Sequence, residues 1–366
     1  MTIRSAKLDS LQAGRGIAAL MVVLHHANQA GNHFLHGEGQ YDILNYGYLR
    51  IDFFFVLSGF VIYHTISHQS GKRRTLNTFL ALRMARIFAP YLPLAIAFGL
   101  LYTFPIVASE ANREWSWVPT LTLIPWDLPP ALSVAWTLQH ELAFYLIFGL
   151  LFFSGFLWLG LFLWLVTILW FSMLANQALP EPFATALAPI NIEFIFGLLA
   201  AAFARDIGKR LELALLWAGA AVGAWIALGA VRELSVFVGA AIALLIPSLV
   251  RAETNGGFST PSTLVLLGDA SYSIYLIHPL AIAVSARLLR DAWIPVSVEI
   301  GLVVMVLCSI GAGFLYYFLF ERYARNFLRN WILARATSEK DSSEVRTVSS
   351  LSVASQSLAK AERGET

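Results

Sequence analysis

Charge is scarce in this chain. Of its 366 residues, 25 are Lys or Arg and 23 are Asp or Glu, a charged fraction of 13%, against about 25% in soluble domains. Cysteine is nearly absent too. The single Cys308 excludes an intramolecular disulfide and any Cys-based metal cluster. A net charge of +2, with no basic stripe, argues against a nucleic-acid partner. There is no Gly-rich phosphate loop, no H-E-x-x-H pair, and no usable serine-nucleophile motif. What fills the chain instead is hydrophobic: 58% of residues, with 26 Phe, 12 Tyr and 11 Trp, and a mean hydropathy of +0.66. That composition describes an all-α integral membrane protein with aromatic residues at the bilayer interfaces.

Ten apolar runs of spanning length are expected in one bundle, near residues 10–30, 50–67, 84–104, 133–153, 156–174, 187–204, 211–230, 234–250, 264–284 and 296–319. The Ser154–Gly155 pair divides one very long apolar run into a tight hairpin. The first run follows Arg4 and Lys7, but Arg15, His25 and His26 interrupt it, so it reads as a retained span and not a signal peptide. With the N-terminus inside, one side collects Arg4, Lys7, Arg15, Lys72, Arg73, Arg74, Arg83, Arg86, Arg205, Lys209, Arg210 and Arg251, and then Arg322, Arg325, Arg329 and Arg335. The other side receives only Arg50, Arg113, Arg232, Arg287 and Arg290. The positive-inside rule then puts both termini in the cytoplasm. Residues 1–336 read as the membrane domain, and the Ser-rich, charged stretch 337–366 as a disordered cytoplasmic tail. Two longer external segments, 31–49 and 105–132, carry Trp115, Trp117 and Trp126 in the second. These tryptophans serve either as interface anchors or as a platform for a sugar ring.

Polar residues inside the spans are expensive, and each is by default a functional hypothesis. In RGIAALMVVLHHA, Arg15 and His26 are eleven residues apart. That spacing places them within roughly 20° of one helical face, about 16 Å apart along the axis. They imply one continuous polar groove. His26 is either a general base, since imidazole titrates near neutrality, or a hydrogen-bonding residue between helices. His25 is turned about 100° away and reads as secondary. Asp52 sits near the outer end of the second span, where it either orients the imidazole or favours the helix dipole. The neighbouring Ser58–Gly59 pair reads as a close helix approach. Arg83 and Arg86, at i and i+3, form either a positive-inside pair or, with Arg15, an anion clamp for phosphates. Glu141, flanked by Gln139 and His140, lies midway through the fourth span and needs a partner or an aqueous cavity. Tyr272, Tyr275 and His278 recur at three-residue spacing before Pro279 and either line the cavity or pack it.

Taken in order, RGIAALMVVLHHA, DFFFVLSGFVI, RMARIFAPY, WTLQHELAFY, SYSIYLIHPL and FLYYFLFER resemble the motifs of the membrane acyltransferase-3 family. The resemblance runs from about residue 8 to residue 325, and WTLQHELAFY is closest to the exopolysaccharide branch. It implies His26 as catalytic base with Arg15 as its same-face partner. Arg83 and Arg86 would help to hold acyl-coenzyme A, and Glu141 would belong to the catalytic core. The co-substrate would be acyl-coenzyme A, acetyl-coenzyme A first among them, with no metal. The acceptor would be a glycan or lipid-linked saccharide at the plasma (inner) membrane of a bacterium. Membrane lipids and a polysaccharide assembly machinery would be the partners. His25 departs from the family pattern, where an aromatic residue often stands. Two rivals from other classes are a proton-coupled secondary transporter of a glycan or anion and a non-catalytic member of an assembly complex.

Overall fold

A computed structural model describes residues 8–34, 49–67, 75–103, 114–174, 179–204, 209–227, 235–291 and 297–338. Arg4, Lys7, Lys72, Arg73, Arg74, Arg113, Arg205 and Arg232 lie outside them, as do most of segment 31–49, the start of segment 105–132 and the tail beyond 338.

Every regular element among the described residues is helical. The order is α1 (Asp9–Phe34), α2 (Leu49–Ser67), α3 (Leu76–Thr103), α4 (Trp117–Thr122), α5 (Trp136–Phe153), α6 (Leu157–Leu174), α7 (Phe183–Ala186) and α8 (Ile192–Phe203). Then come α9 (Lys209–Ala227), α10 (Ser235–Thr254), α11 (Ser262–Asp269), α12 (Ser271–Asp291) and α13 (Val298–Ser338). Short 3₁₀ turns at Ser133–Ala135 and Pro189–Asn191 lead into α5 and α8.

Each of the ten expected spans falls on a helix. Among the described residues five helices are long and apolar enough to cross a membrane: Leu76–Thr103, Ser133–Phe153, Val236–Thr254, Ser271–Asp291 and Val298–Ser338. Three shorter apolar helices, Ile51–Ser67, Leu157–Met173 and Pro189–Phe203, accompany them. The 26-residue α1 is long enough but too polar, because Arg15, His25, His26, Asn28, Gln29 and Asn32 interrupt it. Boundaries move as well. The third helix starts at Leu76, not near 84, because the Thr75 hydroxyl accepts from the Thr78 amide (3.2 Å) and caps it. Arg83 and Arg86 therefore lie well inside that helix. The expected span 264–284 is interrupted at Ala270, which separates α11 from α12. Gly155, at φ 84°, makes the sharp turn expected between α5 and α6.

Glycines set the crossings that place the functional helices. A Cβ at Gly268 would stand 1.8 Å from the Gln12 carbonyl oxygen, so α1 and α11 touch backbone to backbone. A Cβ at Gly197 would stand 1.9 Å from the Val56 carbonyl oxygen, and one at Gly59 2.1 Å from that of Phe194. The Ser58–Gly59 pair is therefore a close approach of α2 to α8, as small residues at membrane interfaces allow. Buried aromatics, among them the stacked Phe144 and Phe194 rings (4.3 Å), fill the core between α2, α3, α5 and α8. Trp158, Phe162, Trp170 and Met173 on α6 stay exposed, which suits a face turned to lipid.

Candidate functional site

Arg15 and His26 point to different cavities. Arg15 lines a cavity of about 710 Å³ with Arg86, Glu141 and Arg325. His26 lines a second one of about 300 Å³ with His33, Tyr102, His278 and Arg287. The single groove implied by their spacing is thus divided in two. The divider is a small polar layer: the Tyr275 hydroxyl donates to the Val134 carbonyl (2.9 Å) and pairs with the Thr137 hydroxyl (2.8 Å). Tyr275 and Thr137 face the arginine cavity, and Val134 faces the histidine cavity.

The arginine cavity is held by polar ties across distant parts of the chain. Gln12 donates from Nε2 to Asp269 Oδ1 (2.7 Å), and its Oε1 accepts from Arg15 Nη1 (3.1 Å). The interruption at Ala270 places Asp269 at the end of α11, where it meets α1 through the Gly268 contact. Glu141 accepts from the Ser58 hydroxyl (3.2 Å) and from the Tyr145 hydroxyl. Arg15 and Arg86 both interact electrostatically with Glu141 and Glu321. Glu321 closes a π-helical segment, Tyr317–Glu321, inside α13. Such segments recur at functional sites because they redirect a side chain. Here the buried carboxylate accepts from Ser273 Oγ (2.5 Å) and Arg325 Nη1 (3.1 Å). Arg15, Arg86, Arg251 and Arg325 line the cavity and thus outnumber Glu141, Glu321 and Asp269 in charge. A cavity so built favours an anion held by guanidinium forks.

Arg83 does not line this cavity. Its guanidinium packs over the rings of Tyr145 (5.5 Å) and Phe79 (5.6 Å). The pair at i and i+3 therefore splits, Arg86 lining the cavity and Arg83 ordering an aromatic neighbour of Glu141.

In the histidine cavity the His26 ring stacks on His278, with centroids 5.2 Å apart and planes 28° apart. His25 presents an edge to the same ring at 5.2 Å, and its Nε2 lies 3.1 Å from Gln29 Nε2. His278 is fully buried, and its Nδ1 lies 2.7 Å from the Tyr275 carbonyl oxygen.

Asp52 lies elsewhere. It lines neither cavity; buried, it faces the buried Glu193 of α8, on which Gly239 of α10 presses. The structure therefore does not bring Asp52 to His26, nor Glu141, whose cavity is the other one. His140 is structural: Asn191 spends its Nδ2 on the Thr185 and Ala186 carbonyls (2.8 and 3.1 Å), so its Oδ1 accepts from His140 Nδ1 (3.1 Å). Sequence reasoning passed over Gln12, Asp269, Thr137 and Glu321. Each carried one available signal, a polar side chain next to a long apolar run, but their partners lie 257 and 138 residues away for Gln12 and Thr137.

Comparison with known proteins gives the same direction. The acyltransferase domain of the acyltransferase-3 family matches residues 8–336. The exopolysaccharide production protein ExoZ of Rhizobium meliloti (strain 1021) is 28% identical over 283 residues, covering 73% of this chain and 83% of that one. The acyltransferase MdmB of Streptomyces mycarofaciens is 26% identical over 330 residues, covering 79% of this chain and 82% of its own. No solved structure matches the chain. A family match across nearly the whole helical domain is decisive: this chain belongs to the acyltransferase-3 family of multi-pass membrane acyltransferases.

Proposed function

We propose that this protein is an O-acyltransferase that carries an acyl group, acetyl first among candidates, from acyl-coenzyme A to a hydroxyl of an exported glycan or lipid-linked saccharide. The observation that carries this reading is the pair of cavities on one helix. One is rich in guanidinium groups and the other in imidazoles. Arg15, Arg86 and Arg325 would hold the coenzyme A phosphates in the first. The acceptor hydroxyl would enter the second, at His26. Lys/Arg asymmetry orients the arginine cavity and both termini toward the cytoplasm of a bacterial inner membrane. The likeness to ExoZ favours a polysaccharide-related acceptor and assembly partners.

The chemistry needs one base. His26 takes the proton of the acceptor hydroxyl, and the oxygen attacks the thioester carbonyl. The tetrahedral intermediate expels coenzyme A thiolate, which recovers the proton from the imidazolium, leaving an ester and free thiol. To reach His26 the acyl group must pass the Tyr275–Thr137–Val134 layer. Glu141 holds Arg15 and Arg86 in place through charge, with Ser58 and Tyr145 fixing its own position and Arg83 fixing Tyr145. Asp52 contributes through the α2–α8 contact and touches no substrate.

A second reading, a secondary transporter, is favoured by one feature: two cavities on either side of the Tyr275–Thr137 layer, beside a helix interrupted at Ala270. Acetyl-coenzyme A labelled in its acetyl group separates the two. Given to the purified protein in liposomes with a bacterial glycan, it leaves label in ester linkage on the glycan if the protein is an acyltransferase. Label that crosses the bilayer with no ester formed supports the transporter and overturns the proposal.

A further inference from the structure

His278 stacks on His26 from another helix, and the residue that follows it decides its protonation pattern. In an α-helix the amide of residue 279 would donate to the carbonyl of residue 275. Pro279 has no amide proton, so it cannot make that bond to the Tyr275 carbonyl. The His278 ring turns back one turn and supplies the missing donor, with Nδ1 at 2.7 Å from that oxygen. A carbonyl oxygen only accepts, so Nδ1 carries the proton and, in the neutral ring, the lone pair is on Nε2. The same tyrosine's hydroxyl closes the layer between the two cavities. One residue thus ties the divider to the imidazole beyond it.

We propose that His278 is a positioning residue for acyl transfer: fixed by its bond to the Tyr275 carbonyl, to which Pro279 cannot donate, it stacks on His26 and holds that imidazole at the acceptor cavity. The proposal rests on the reading of His26 as the base. The lock acts on geometry and not on charge. A ring bonded at Nδ1 cannot rotate without giving up a buried hydrogen bond. The stacked face then limits the orientations open to His26, whose other side meets the edge of His25. Orientation of a base by a fixed neighbour is the arrangement that general-base catalysis repeatedly uses.

The test combines two substitutions with a spectroscopic readout. Pro279→Ala restores the amide donor, which competes for the Tyr275 carbonyl and releases the imidazole without removing it. Protein labelled with ¹⁵N-histidine, with His278→Asn used to assign its signal, should show His278 with Nδ1 protonated in the native sequence. In Pro279→Ala that signal should become a mixture of tautomers. The turnover rate should fall about tenfold in Pro279→Ala and further in His278→Leu, while the donor KM stays unchanged. His278→Asn, whose side-chain amide can reach the same carbonyl, should recover part of the rate. Protonation of His278 at Nε2 in the native protein overturns the lock. A native turnover rate in both Pro279→Ala and His278→Leu overturns the positioning role alone. Loss of transfer confined to the donor KM also overturns it. Absence of transfer in the native protein instead defeats the functional reading on which this one stands.

Discussion

Replacing Tyr275 by Phe probes the layer between the cavities without changing its bulk. The hydroxyl makes two contacts, 2.9 Å to the Val134 carbonyl and 2.8 Å to Thr137. Each is worth about 0.5–1.5 kcal/mol net. Thr137 has a single hydroxyl proton, which no longer has Tyr275 to bond and turns to the Val134 carbonyl at 3.0 Å, so the net loss is one hydrogen bond. The closed arrangement should therefore weaken by about 0.5–1.5 kcal/mol. Since 1.4 kcal/mol corresponds to tenfold, the open population should rise by up to roughly one order of magnitude. With acyl-coenzyme A bound and no acceptor present, water in the histidine cavity then reaches the thioester more often. The assay is release of free thiol from acetyl-coenzyme A by purified protein lacking acceptor. Tyr275→Phe should raise that rate by up to about tenfold, following the same arithmetic, and Tyr275→Ala, which also removes the ring, should raise it further. Thiol release at the native rate in both variants, with glycan transfer intact, would refute the layer as the barrier between donor and acceptor.

Arg86→Gln should raise the donor KM by about 10- to 100-fold, the worth of a hydrogen bond to a charged group, with a smaller effect on turnover. Arg83→Gln should change that KM by no more than about fivefold, because its cation–π packing is worth about 0.5–1 kcal/mol; steady-state kinetics on the two variants decide between them. Gly197→Ala should destabilise the protein by about 1–3 kcal/mol through overpacking, since the new Cβ would meet the Val56 carbonyl at 1.9 Å. Gly311→Ala, where nothing lies within 4 Å, should be neutral or stabilising by up to about 1 kcal/mol; thermal unfolding in detergent compares the two directly.

Helical period alone located Arg15 and His26 on one face of α1, and both line cavities. The period could not reveal the wall between them, because Thr137 and Tyr275 come from segments 138 residues apart. The i, i+3 rule likewise put Arg83 beside Arg86 but was blind to the aromatic rings of Phe79 and Tyr145 that capture one of the two. Ser58–Gly59 was legible as a close approach because small residues have only that use at a crossing. The Ser58 bond to Glu141 was not, since it depends on where α5 lies. Asp52 shows the same limit: its depth in the helix can be read, but not that it meets Glu193 on α8. The first run was legible as a helix of spanning length, although its polar residues lower the hydropathy of α1. Each of the ten expected runs falls on a helix; among the described residues five of these are long and apolar, three are shorter and apolar, and α1 and α9 are the other two. The His278–Pro279 pair stands apart. Its consequence for the Tyr275 carbonyl is written in the sequence, and it was the reading of the motif as generic lining or packing that hid it.

The central claim is that His26 takes the acceptor's proton. Purified His26→Ala and His25→Ala, both shown to insert and fold, should be compared with the native chain for transfer of labelled acetyl groups to glycan. Loss of a general base costs about 100- to 10,000-fold, so His26→Ala should lose transfer on that scale while His25→Ala keeps most of it. Native transfer by His26→Ala would contradict the account.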